Sequence, residues 1–133
     1  MLLQDAAYSD GMSDTLTNLI LHAVYSEDQP NGEIIPNSLP FSQASTALNH
    51  GGSWLSISTI EVGYVNYRNA YFNGTPMELS DVLSFDIDGD GKIDYSLCIW
   101  RYDYDFTTGI FNAISRSAEY PWNTVYISNF TIR

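Results

Sequence analysis

Residues 84–100 read SFDIDGDGKIDYSLCIW, and Asp86, Asp88, Asp90 and Asp94 place four carboxylates within nine residues of this stretch. Left alone, like charges at that spacing repel one another. With a cation among them they become a ligand set. In a loop of the form D-x-D-x-D-G-x-x-D, side-chain oxygens at positions 1, 3, 5 and 9 and a backbone carbonyl at position 7 converge on one ion. Here the side chains are those of Asp86, Asp88, Asp90 and Asp94, and the carbonyl is that of Lys92. Gly91 falls at position 6, where the chain turns with a positive φ that glycine adopts cheaply. Ile93 supplies an apolar anchor beneath the ion. Hard oxygen donors in this number select Ca2+ over Zn2+, and a flexible loop selects Ca2+ over Mg2+.

The run resembles the DxDxDG calcium-loop family, which includes EF-hand loops, dockerin modules and the loops of integrin-type propeller blades. The likeness covers Asp86–Asp94 only. It departs from the EF-hand at position 12, where Leu97 stands in place of a bidentate Glu. Val82-Leu83-Ser84-Phe85 before the loop and Tyr95 to Trp100 after it are strand-like, with no helical pattern. The resemblance therefore implies a strand–loop–strand calcium site in which Asp94 takes the bidentate role. It does not imply a calcium sensor, because no helix pair is present to open.

The elements that must hold such a loop are strands. Asp10-Gly11, Pro30-Asn31-Gly32, His50-Gly51-Gly52, Asn73-Gly74, Asp90-Gly91 and Thr108-Gly109 are turn signals, and the runs between them are rich in Ile, Val, Thr, Tyr, Phe and Trp. Ser53 to Tyr67 reads as strand with Gly63 at a bulge, and Asn69 to Phe72 leads into an Asn73-Gly74 hairpin turn. Tyr95 to Phe106 is a long strand, with a short loop at Thr107-Thr108-Gly109 and a return over Ile110 to Ile114. Asn123 to Ile132 closes the chain as a strand, with Val125, Ile127 and Phe130 inward if the register shifts near Ser128. Between residues 14 and 25, Leu16, Leu19, Ile20, Ala23 and Val24 fall at helical spacing with Ser13 or Asp14 as cap, yet Thr15, Thr17, Val24 and Tyr25 suit a strand equally. Glu27 to Pro40 reads as a surface loop. The fold class is mainly β, an antiparallel sandwich or jelly roll forming one domain over residues 1–133.

Composition narrows the function classes. Sixteen acids oppose five bases for a net charge of −11, and Lys92, inside the acidic stretch, is the one lysine. Such a surface repels phosphate backbones, which excludes nucleic acid as a partner. A single cysteine, Cys98, excludes an intrachain disulfide. No apolar run reaches the length of a membrane helix, and Met1-Leu2-Leu3 is followed at once by Gln4 and Asp5 without a signal-peptide core.

The remaining candidates carry weaker chemistry. His22 and His50 have no second ligand at metal spacing, and Cys98 has no basic neighbour to activate it. Asp103 and Asp105 alternate with tyrosines and suit either a second cation site or a solvated acidic face. Trp54, Trp100, Trp122 and ten tyrosines suit either a filled core or a platform for sugars, and Asn73 and Asn129 head glycosylation sequons. No catalytic signature is present, so the expectation is a non-enzyme. We expect an extracellular or cell-surface structural subunit stabilised by Ca2+. It would assemble into a filament, tube or layer through β-strand contacts, with Met1-Leu2-Leu3 and Tyr126 to Ile132 as strands for exchange. The alternative expectation is a calcium-dependent carbohydrate-binding or adhesin module with glycans as partners.

Overall fold

From Leu55 to Val62 the side chains alternate: Leu55, Ile57, Thr59 and Glu61 are buried, while Ser56, Ser58, Ile60 and Val62 take the other face. That period of two governs the whole chain. The computed structural model describes residues 14–36 and 44–133, and no helix occurs among them. Nine strands form two antiparallel sheets: β1 Asn18–Ser26, β2 Glu33–Ile34, β3 Leu55–Val62, β4 Val65–Phe72, β5 Thr75–Pro76, β6 Glu78–Phe85, β7 Tyr95–Tyr102, β8 Gly109–Ser117 and β9 Thr124–Ile132. One sheet runs β2-β1-β3-β7-β6 and the other β5-β4-β8-β9. Their inner faces share one core that includes Val24, Leu55, Ile57, Cys98 and Trp100 from the first sheet and Phe72, Phe111, Phe130 and Ile132 from the second. Each large side chain in that layer contributes roughly 2–3 kcal/mol through burial. The chain is a mainly-β sandwich.

The ambiguous segment is strand β1, and the helix alternative fails for a specific reason. A register shift between Leu21 and Ala23 inserts an extra residue, so Leu21 opposes Thr59 and Val24 opposes Ile57, both facing inward. A bulged strand thus reproduces the three-residue spacing of an amphipathic helix. A bulge also explains β9. Asn129 adopts φ 55° and donates its N–H to Asn112 Oδ1, which lets Ile127 and Phe130, three residues apart, both point into the core. Val125 opposes Ser115 on the inner face but is only half-buried.

Two expectations need correction. Ser53 to Tyr67 is two strands in different sheets, and Gly63 (φ 130°) is the corner between them rather than a bulge. A Cβ on Gly63 would collide with the backbone of Leu16, so glycine is what lets the segment before β1 pass this corner. Thr107-Thr108-Gly109 is not a hairpin loop, because β7 and β8 belong to opposite sheets. Tyr126 to Ile132 lies within β9, paired to β8 of the same chain with Phe130 and Ile132 in the core. The Glu27 to Pro40 loop contains the short β2. Asp10-Gly11, Met1-Leu2-Leu3, Ser13 and Pro40 lie outside the described residues.

Candidate metal centre

β6 and β7 pair antiparallel from Glu78↔Arg101 to Phe85↔Tyr95, and the aspartate loop is their connection. The strand–loop–strand setting expected from the flanks is therefore present. Asp94 N–H donates to the Phe85 carbonyl at 2.8 Å, closing the loop at its base. Inside it the carboxylates organise the backbone. Asp86 accepts from Gly89 N–H and Gly91 N–H, both at 2.9 Å, and Asp94 Oδ2 accepts from Ile87 N–H at 2.5 Å and Asp88 N–H at 3.3 Å. Asp90 accepts from Lys92 N–H at 2.8 Å, which holds its carboxyl below the usual carboxylate range. Gly91 has φ 86°, as position 6 requires.

Carboxylate oxygens of Asp86, Asp88 and Asp90 lie within 4.8 Å of one another. Those of Asp14, Asp88 and Asp94 do likewise, so Asp88 joins two overlapping clusters. Asp14 was absent from the sequence ligand set, where it figured only as a helix cap. The Gly63 corner brings it in: Gly63 N–H donates to the Asp94 carbonyl at 2.7 Å, and Tyr64 N–H donates to the Asp14 carbonyl at 2.6 Å. No local spacing could reveal a ligand so distant along the chain.

Asp14 is also the test of fit. Its Oδ2 is buried and has no hydrogen-bond partner. Burial, with the carboxyls of Asp94 and Asp90 beside it, pushes the Asp14 acid up to about 8. Asp88 is likewise raised, by desolvation and by its Asp90 and Asp86 neighbours. An orphaned buried oxygen facing further carboxylates is what a hard cation accommodates and what a bare turn does not need. Lys92 does not fill that role. Its Nζ pairs with Glu119 Oε2 at 2.6 Å, while Glu119 Oε1 accepts from Asp14 N–H at 3.4 Å, and Asp14 and Asp90 act on the ammonium only through space. The two carboxylate clusters, joined at Asp88, could hold a hard cation such as Ca2+, and the ion would supply the charge that their oxygens lack.

The other candidates have structural work. Asp103 accepts from Arg101 at 2.6 Å, and both Asp103 and Asp105 lie beyond the end of β7, exposed. His50 is buried between Ser26 Oγ (2.9 Å from Nδ1) and Glu33 Oε1 (3.0 Å from Nε2). That Ser–His–Glu chain has a fully buried hydroxyl. It fastens residues 47–50 to β1 and β2, since Glu33 also accepts from Ala47 and Leu48 N–H. Sequence reasoning missed the ion pair of Glu61 with Arg68, bidentate at 2.9 Å, which joins the two sheets and is completed by Ser115 Oγ at 2.7 Å. Asn73 uses its amide to brace Ile110 N–H and the Thr108 carbonyl.

The profile of a domain of unknown function (DUF4879) matches residues 11–132, and the chain belongs to that family. Neither a curated protein nor a solved structure matches it.

Proposed function

We propose that the chain is an extracellular structural subunit, stiffened by Ca2+ and assembling with copies of itself through the free edge of β6. The observation that carries this reading is the nature of that edge. Among the described residues β6 ends its sheet, is almost wholly exposed, and leaves one row of backbone N–H and C=O groups without a neighbouring strand. The other long edge, β9, is partly covered by Ser45, which bridges to Thr131.

The outer face beside β6 is apolar as well. Ile20, Ile60, Leu97 and Leu83 form one row across β1, β3, β7 and β6, and Val62, Tyr95 and Phe85 form the next. The Phe85 and Tyr95 rings stack at 4.9 Å. A register shift between Leu79 and Asp81 confines the regular edge to the half that runs into the aspartate loop. Fixing the loop with an ion therefore fixes the part of the edge that could pair. Glu78 and Asp81 on the same strand repel a second copy, which makes cation screening part of the assembly.

Light scattering and electron microscopy of the purified chain, with Ca2+ and with chelator, test the reading. Ion-dependent oligomers or polymers support it, and a monomer under both conditions overturns it.

A further inference from the structure

The opposite face of the sandwich carries a different surface. On the outside of the four-stranded sheet, Tyr67, Arg116 and Thr124 oppose one another across β4, β8 and β9, and Asn69, Ile114 and Tyr126 form the adjacent row. Tyr67, Ile114, Arg116, Thr124 and Tyr126 line an open cleft of about 470 Å3. Ile114 is its apolar floor, with the tyrosines on either side, two strands and so roughly 10 Å apart.

This cleft is organised in advance. The Arg116 guanidinium sits 5.5 Å over the Tyr67 ring, and Asn69 donates to the Tyr67 hydroxyl at 2.7 Å. Tyr67 is thus held at its face and at its tip, while Tyr126 stands 63% exposed. Arg68, Lys92 and Arg101 each hold a carboxylate, but no salt bridge engages Arg116 among the described residues. In a chain with 16 acids and 5 bases, an arginine left without an acid keeps its donors available for a ligand.

We propose that this cleft binds a neutral saccharide chain. The negative faces of tyrosine rings attract the weakly positive C–H face of a sugar ring, an interaction that an apolar floor reinforces. Arg116, Asn69 and the Thr124 hydroxyl provide the polar groups that fix ring hydroxyls. The cleft is shallow and open along the sheet, which suits a stretch of polymer rather than an enclosed small molecule. The net charge of −11 repels polyanions at long range, so the favoured chain is uncharged. This inference stands apart from the calcium and assembly reading, because neither the aspartate loop nor β6 contributes to the cleft.

Calorimetric titration in calcium-containing buffer tests it. The probes are soluble cello-, manno-, chito- and malto-oligosaccharides, with oligogalacturonate as the charged comparison. At least one neutral series binds, and its affinity falls about tenfold or more in Tyr126→Ala and in Arg116→Ala. Both variants keep the thermal midpoint of the native chain, since both side chains are exposed. Absence of binding by every neutral series overturns the proposal. So does binding that survives both substitutions, or binding of oligogalacturonate alone.

Discussion

At the residue scale, Asp14 and Glu61 show two ways of burying a carboxylate. Glu61 has its counter-charge in the fold: Arg68 grips it bidentately and Ser115 donates to it. The partners are unequally exposed, with side-chain values of 23% for Arg68 and 1% for Glu61. Arg68→Ala strands a buried charge and is expected to cost about 3 kcal/mol. Glu61→Gln leaves a cation that can turn to water and should cost less. Urea denaturation of the two variants reports the order. Asp14 has no such partner. An acid held at about 8 in the folded state and near 3.8 when unfolded must take up a proton on folding between those values, so folding is opposed more strongly as pH rises. Chelated protein is therefore expected to lose thermal stability from pH about 4 to about 8. Ca2+, which favours the ionised form, should flatten that slope, and Asp14→Asn should reduce it in the chelated protein, the raised Asp88 carboxyl keeping a part, while weakening Ca2+ binding about tenfold. Cys98 gives a simpler prediction. Burial and the nearby Glu61 carboxylate push its thiol up to about 12, so it should resist alkylation at pH 8 until the protein unfolds.

At the element scale, the β6–β7 hairpin joins the aspartate loop to the open edge. Leu83 projects from β6 on the outer face, 49% exposed. Leu83→Lys is expected to abolish calcium-dependent association by light scattering while shifting stability by less than about 0.5 kcal/mol. The hairpin was also the most readable part of the sequence, because its turn, its ligand spacing and its flanking alternation are all local. Gly63 and Thr107-Thr108-Gly109 misled for the complementary reason. A chain that passes from one sheet to the other uses the same small and polar residues as one that turns back within a sheet. Asp14 was legible only as a helix cap, since the Gly63 corner that delivers it is a tertiary event. In β1 the bulge at Leu21/Ala23 imitated a helix, and periodicity alone could not separate the two.

For the whole molecule, the two outer faces differ in character: an apolar band ending at the β6 edge on one sheet, a tyrosine–arginine cleft on the other. Such a division would let the proposed subunit associate on one side and keep the other free. Both depend on the shared core, and Phe72 lies fully buried within it, edge-on to Tyr102 and Phe106. Phe72→Ala is expected to lower stability by about 3–5 kcal/mol, read as an earlier denaturation midpoint.

Lys92, tied to Glu119 at the mouth of the aspartate loop, has a consequence for durability. A protease that cuts after basic residues finds Arg68, Arg101 and Arg116 inside strands. Lys92 alone lies between strands, on the loop that the ion would clamp. Between its strands the fold thus offers such an enzyme one door, and the same ion would bolt it.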